Sequence, residues 1–312
     1  MTPIAQLAII QVGIPLLLIL LNAVVPASSW WALGLRALLL ATVLAWLILG
    51  GTWLYPPWWT PFVLVVLALA SFVRPVLRLS RRGTTRRRGW RWSETTIVAL
   101  LVVAVVALLV VPAAAGRSQP PGAVDIAEPL DPGAYYVTSG GSRSAVNRHL
   151  LTSDSDQWRG QRRGVDLVKV DGLGRRAHGI APADPAAYYI YGAPVISPCV
   201  GTVAETRADL PDHRVPDTDS DNPAGNYVLV SCGDYEVLLA HLQHESVVVR
   251  AGDHVEIGVP LGKVGNSGDA AEPHLHIHTQ RRSPDPAKPF AGDPLWLTID
   301  GHFPVRNRLL RL

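Results

Sequence analysis

Apolar side chains fill most positions before residue 116, and polar side chains with frequent Gly and Pro fill the remainder of the 312-residue chain. A helix that crosses a membrane needs roughly 20 largely apolar residues. Four stretches meet or approach that length, and they predict membrane-spanning helices at residues 4–25, 37–54, 60–79 and 96–112. We therefore expect an all-α transmembrane region of four helices over residues 1–115.

The pattern after residue 116 predicts β-structure instead. The Pro- and Gly-rich segment 116–132 is typical of a linker, and we expect a domain over residues 133–312. Short apolar runs there are separated by Gly, Pro and Asn, which indicates strands joined by turns. The predicted strands are 189–191, 200–205, 227–231, 236–242, 246–250, 260–264 and 274–279. Many short strands at this spacing favour a mainly-β domain, an antiparallel sheet or sandwich.

Positive charge is concentrated between the third and fourth predicted spans. The arginines of this segment are Arg78, Arg81, Arg82, Arg86, Arg87, Arg88 and Arg91. Loops rich in Arg stay in the cytoplasm, so the fourth span runs outward. We expect a multi-pass protein of the cell (inner, cytoplasmic) membrane whose C-terminal domain is extracytoplasmic. Because one membrane-flanking loop accounts for the net charge of +3, the charge does not indicate a nucleic-acid partner.

Candidate chemistry lies in the β-rich half. In the segment from Pro273 to His278, every second residue is a histidine, which places His274, His276 and His278 on one face of a strand. A further histidine, His241, interrupts an otherwise apolar predicted strand. Asp166 follows a Gly and is flanked by apolar residues, a setting that is also typical of turns and caps. A lone His-x-His pattern is also compatible with an exposed polar strand face.

The order of these motifs carries a resemblance. The pieces appear as GVDL, GAPVISPCVGTV, GNYVLV, LLAHL, GDHVEIGVPLGKVGNSG and PHLHIH. Over residues 162–280 the chain resembles the LytM/lysostaphin-type metallopeptidases of family M23, which are cell-wall endopeptidases with a largely antiparallel β-fold. The resemblance implies a Zn²⁺ ion held by one Asp and two His, with the fourth position open to water. It places Asp166 and His276 as metal ligands and His241 and His274 as catalytic residues that do not bind the metal.

One position departs from the family pattern. The remaining ligand normally lies four residues before the Asp, where this chain has Arg162. A guanidinium has no lone pair to offer and stays charged, so it cannot bind Zn²⁺. Either another histidine completes the site, with His149 the first candidate and His278 and His178 behind it, or the site is degenerate.

The two alternatives predict different functions. With an intact site, the protein is a membrane-anchored zinc metallopeptidase that cleaves the peptide cross-links of peptidoglycan. With a degenerate site, in which Arg162 pairs with Asp166, it is a non-catalytic module that binds cell-wall peptides or regulates a hydrolase. The segment Gly252-Asp253-His254-Val255 also occurs in lipoyl- and adaptor-like folds. Neither an acceptor lysine at a hairpin tip nor a long helical hairpin supports that reading, and a generic receptor or channel leaves the histidine motifs unexplained.

The two cysteines, Cys199 and Cys232, form neither a CxxC motif nor a Cys/His cluster, so they do not indicate a structural zinc site. Both fall in the part expected outside the cytoplasm, where disulfides form. We predict that they pair.

Overall fold

Apolar runs form helices in the first third of the chain and alternating patterns form strands in the remainder of the computed structural model, which describes residues 3–53, 56–82, 90–151 and 156–312. The chain divides into two compact units, Met1–Ala115 and Gly116–Leu312. The first unit is helical and the second is built on an antiparallel sheet, which confirms the predicted fold class.

Within the described residues, four helices are long and apolar enough to cross a membrane. They are α1 (Gln6–Val24), α2 (Trp30–Gly50), α3 (Thr60–Arg81) and α4 (Thr95–Ala115). A buried hydrogen bond links α1 to α3, because the Asn22 amide donates to Ser71 Oγ at 2.9 Å. Arg86, Arg87 and Arg88, on which the predicted orientation depends, lie outside the described residues.

The second helix begins earlier than the predicted span 37–54. Ser29 caps its N-terminus by accepting a hydrogen bond from the Ala32 amide at 3.2 Å, so the helix begins at Trp30. It ends at Gly50, because the next residue, Gly51, leaves the helical conformation. Leu54, the predicted end, lies outside the described residues.

The described part of the second unit contains thirteen short strands. They are β1 (Val124–Ile126), β2 (Ala134–Ser139), β3 (Val165–Lys169), β4 (Pro194–Ile196), β5 (Gly201–Arg207), β6 (Asn226–Cys232), β7 (Tyr235–Leu242), β8 (His254–Val255), β9 (Pro260–Lys263), β10 (Leu275–Gln280), β11 (Pro294–Leu295), β12 (Leu297–Ile299) and β13 (Leu309–Arg311). The main sheet has the order β13-β2-β3-β10-β7-β6-β5-β8, and β11 pairs with β10. Every pairing in this sheet is antiparallel. Short 3-10 helices lie at Arg148–Leu151, Asp156–Arg163 and Pro185–Ala187.

Several strand predictions were wrong. Segment 189–191 forms a turn closed by a hydrogen bond from the Tyr191 amide to the Tyr188 carbonyl at 3.0 Å. Segment 246–250 is irregular: Val247 and Val249 pack on the core, Val248 is exposed, and the segment joins no ladder. Strands β2 and β3 lie in a region where no strand was predicted.

Part of the segment 116–132, which was predicted as a linker, packs with the rest of the domain. Strand β1 pairs in parallel with β12, and the side chains of Ile126 and Leu130 are buried in the core of the domain. The domain therefore begins before residue 133, since these apolar side chains stabilise it by leaving water.

The two faces of β10 have opposite chemistry. Leu275 and Ile277 enter the main hydrophobic core, while His276 and His278 lie on the other face, buried there as well. Alternation along a strand produces this division. A disulfide joins Cys199, just before β5, to Cys232 at the end of β6, with a Cα–Cα distance of 6.1 Å.

Candidate metal centre

Two neighbouring strands bring the central pair of side chains together. In the antiparallel register of β3 and β10, Asp166 lies directly opposite His276. Side chains opposite each other on one face approach closely. Nδ1 of His276 accordingly lies 3.0 Å from Oδ1 of Asp166.

A third side chain comes from outside the sheet. His149 lies in the 3-10 helix Arg148–Leu151, and its Nε2 is 3.0 Å from each oxygen of the Asp166 carboxylate. Its ring packs edge-on against the ring of His276, with centroids 4.7 Å apart. One donor atom from each of His149, Asp166 and His276 lies within 4.8 Å of the other two.

This donor set fits Zn²⁺. Zinc takes imidazole nitrogen and carboxylate oxygen at about 2.0–2.2 Å in tetrahedral geometry, which separates neighbouring ligand atoms by roughly 3.3 Å. The observed separations of 3.0 Å from Asp166 to each histidine are close to that value. The side chains of His149 and Asp166 are each only 16% exposed, and that of His276 is 5% exposed.

The protonation states also suit a cation. Burial opposes ionisation of Asp166, but the charges of His149 and His274 and hydrogen bonds from two histidines hold its pKa well below the ordinary value. Burial lowers the pKa of His276 to about 4, although the hydrogen bond to Asp166 works in the opposite direction. At neutral pH the pair is therefore a carboxylate and a neutral imidazole, the forms that bind metal.

Two further histidines border this cluster. Nε2 of His274 lies 3.7 Å from Oδ1 of Asp166, and the rings of His274 and His241 are 4.6 Å apart. Nδ1 of His274 bonds to the Glu272 carbonyl at 2.8 Å, and Nδ1 of His241 bonds to the Ser267 carbonyl at 2.9 Å. A carbonyl only accepts, so each Nδ1 carries a hydrogen, and in the neutral ring Nε2 is left as the acceptor. Burial, followed by the charges of His274 and His276, holds the pKa of His241 well below its ordinary value.

The backbone of His241 has a φ of +63°, in the left-handed region that β-strands avoid. Such a conformation in a residue other than Gly costs free energy and is typical of functional sites. It occurs near the end of β7, where the chain turns this imidazole towards His274 and His276.

The other candidate ligands occupy different places. His278 lies behind the cluster, with Nδ1 3.0 Å from Nε2 of His276, so it contacts a proposed ligand from the far side. His178 packs edge-on against Tyr189, and it does not belong to the cluster. Arg162 lies in the last turn of the 3-10 helix Asp156–Arg163, directly before β3.

Sequence reasoning missed Asn147, a fully buried residue that contacts the segment carrying His149 and the segment carrying Asp166. Its Oδ1 accepts a hydrogen bond from the His149 amide at 3.0 Å. The spacing of two residues is that of an Asx turn, which is the one signal in the sequence that points to this contact.

Residues 186–289, a third of the chain, match the model of Peptidase family M23. This stretch is therefore similar to peptidase family M23, the family that the motif order resembles. The matched stretch includes His241, His274 and His276, whereas His149 and Asp166 precede it.

Solved structures that resemble the chain do so distantly. The catalytic domain of lysostaphin from Staphylococcus simulans is 20% identical with a TM-score of 0.26, over 40% of this chain and 71% of that one. A putative peptidase M23 from Pseudomonas aeruginosa is 19% identical with a TM-score of 0.29, over 58% of this chain and 57% of that one. A zinc-containing peptidase from Vibrio cholerae is 20% identical with a TM-score of 0.22, over 47% of this chain and 48% of that one. The chain thus spans about half the length of the last two, and no curated protein matches it.

Proposed function

We propose that this protein is a membrane-anchored zinc metallopeptidase of the M23 type that cleaves peptide cross-links of peptidoglycan. The observation that carries the proposal is the convergence of His149, Asp166 and His276, with donor atoms within 4.8 Å of one another. In this arrangement His149 supplies the ligand for which Arg162 is unsuitable.

The three ligands would hold Zn²⁺ through His149 Nε2, a carboxylate oxygen of Asp166 and His276 Nδ1. Bound zinc would polarise a peptide carbonyl and lower the pKa of water towards neutrality. With Nδ1 of His276 facing the cation, its Nε2 carries the hydrogen and donates it to Nδ1 of His278. A hydrogen bond of this kind fixes the tautomer and the ring orientation of a metal-binding histidine.

His241 and His274 carry out the proton chemistry. Their Nδ1 atoms donate to backbone carbonyls, so each Nε2 is free of hydrogen in the neutral ring. One Nε2 would accept the proton of the attacking water, and the protonated ring would hydrogen-bond to the developing oxyanion of the peptide. The ring would then give this proton to the amine nitrogen that leaves when the C–N bond breaks. Both rings are held by backbone contacts, so little reorganisation is needed during the reaction.

The four apolar helices would anchor the domain, and the positive-inside rule supports a location outside the cytoplasm, where the proposed substrate lies. The Cys199–Cys232 disulfide supports this location, because disulfides persist in oxidising compartments and are rare in the cytosol.

A second candidate function is a module that binds wall peptides without cleaving them, because Arg162 stands where the family pattern has a metal ligand. In that case Asp166 would pair with positively charged side chains such as protonated His149, and the site would hold no metal. Zinc-dependent release of wall fragments distinguishes the peptidase from the binding module.

The experiment uses the full-length chain in detergent micelles with purified peptidoglycan, and release of soluble fragments is followed by mass spectrometry. Wild type should release fragments, lose this activity with a chelator and recover it with zinc. His276→Ala should be inactive, while the matched control His254→Ala, an exposed histidine on β8, should retain activity. Wall binding without fragment release in zinc-loaded wild type would replace the peptidase proposal with the binding module.

A further inference from the structure

Asn147 lies between β2 and the 3-10 helix that carries His149, and its side chain is 1% exposed. A buried amide is stable only when its two donors and its carbonyl oxygen are all paired. Here all of them are.

The two ends of this amide have different roles. Oδ1 accepts hydrogen bonds from the His149 amide at 3.0 Å and from Ser139 Oγ at 3.3 Å. Nδ2 donates to the carbonyls of Gly141 and Gly164, both at 3.1 Å. The opposite orientation of the amide would place its NH₂ group against the His149 N–H, so this network admits one orientation.

The partners belong to segments that are far apart in sequence. Gly164 precedes Asp166 by two residues, and the space beside it is filled by the ring of His276. His149 follows Asn147 by two residues. One side chain therefore connects the backbone of the His149 segment to the backbone that carries Asp166, on the face where His276 lies.

The loop that contains Asn147 is held from its other side by Arg306, a buried residue close to the C-terminus. Its guanidinium donates to the Thr138 carbonyl at 3.0 Å and to the Ala145 carbonyl at 3.2 Å. These bonds hold the backbone of the loop at Thr138 and Ala145, but neither of them contacts His149. The Arg148 amide donates to Ser139 Oγ at 3.0 Å, and Asn147 is bonded to the backbone amide of His149 itself.

We propose that Asn147 is a positioning residue that sets the position of His149 relative to Asp166, and so allows this chain to supply the ligand that Arg162 cannot. The inference rests on the proposed function, since it concerns the same metal centre. Asn147 touches neither metal nor substrate and acts through the backbone of His149 and of Gly164.

The test compares metal binding by full-length variants in detergent. Zinc affinity is measured by competition with a chromophoric chelator, and the visible absorption of the Co²⁺-substituted protein reports coordination geometry. Asn147→Ala should weaken zinc binding by about 10- to 100-fold, the usual effect of removing a residue that orients a metal ligand. The cobalt spectrum should change as well, because His149 no longer lies at a fixed distance from Asp166.

A second variant tests the donor end of the amide separately from the acceptor end. Asn147→Asp keeps an oxygen that accepts from the His149 amide, but it removes both donors and places negative charge beside two carbonyl oxygens. It should impair zinc binding as much as Asn147→Ala, because the connection to Gly164 is lost.

Asn226→Ala is the matched control. Asn226 is also fully buried, and its side chain makes hydrogen bonds to Leu210 and Leu242 rather than to a metal-ligand segment. It should lower thermal stability and leave the zinc affinity and the cobalt spectrum unchanged.

The outcomes are distinct. Wild-type affinity and spectrum in Asn147→Ala, with zinc binding lost in His149→Ala, would overturn the role of Asn147 and leave the proposed function standing. An equal loss of affinity in Asn226→Ala would show that the effect is general destabilisation and would overturn the role too. Absence of zinc binding in folded wild type would refute the proposed function together with the inference.

Discussion

Gly164 offers a test of the proposed metal centre that changes none of the proposed ligands. A Cβ atom at this position would lie 2.5 Å from Cε1 of the His276 ring and 3.0 Å from the Gln161 carbonyl oxygen. A carbon–carbon contact is relaxed at about 3.5 Å, so the imidazole would have to withdraw by about 1 Å. Its other sides are occupied by His149 and His278, which leave no room for a small rotation.

A displacement of 1 Å is large for a metal ligand. Zinc–nitrogen bonds are about 2.0–2.1 Å long, and a functional site keeps its distances within about 0.2 Å. We therefore expect Gly164→Ala to lower zinc affinity by about 10- to 100-fold and peptidoglycan cleavage by roughly 100-fold. The assays are chelator competition, zinc per chain by elemental mass spectrometry and release of wall fragments.

A matched glycine provides the control. A Cβ atom at Gly172 would meet nothing within 4 Å, so Gly172→Ala should bind zinc and cleave as wild type does. Equal zinc affinity in folded Gly164→Ala and in Gly172→Ala would refute this prediction. His276 would then either not be a ligand or not be confined beside Gly164.

Two further predictions concern stability. Replacing Cys199 and Cys232 by Ser removes a cross-link over 33 residues, which should lower the free energy of unfolding by about 4 kcal/mol; equal thermal unfolding of variant and unreduced wild type would contradict this. Phe290 is buried and stacks on Trp158, with ring centroids 5.1 Å apart, and packs edge-on against Tyr227 at 5.0 Å. Phe290→Ala should cost about 3–5 kcal/mol in chemical unfolding, whereas a change below about 1 kcal/mol would show that these rings do not form a core.

Much of the site was visible in the sequence because its chemistry is local. The period of two along β10 predicts that His274, His276 and His278 share one face, and the structure places Leu275 and Ile277 in the core on the other. Motif order predicted the similarity of residues 186–289 to peptidase family M23. The unsuitability of Arg162 as a ligand also follows from residue type alone, since a guanidinium cannot bind a cation.

Local sequence also determined the four apolar helices, because a run of about 20 apolar residues has few alternatives. It was less informative about where they begin and end. The start of α2 at Trp30 depends on one capping hydrogen bond from Ser29, which a count of apolar residues does not reveal.

Tertiary structure alone decided which histidine meets Asp166. His149, His178 and His278 were all candidates by residue type, and nothing in their spacing placed one of them beside Asp166, which lies at least 12 residues from each. The pairing of β3 with β10 places Asp166 opposite His276, and His149 comes within 3.0 Å of the same carboxylate from a 3-10 helix outside the sheet. Residue types therefore determined what chemistry the chain can perform, whereas long-range backbone pairing determined which atoms come together, because such pairing depends on contacts that no local pattern encodes.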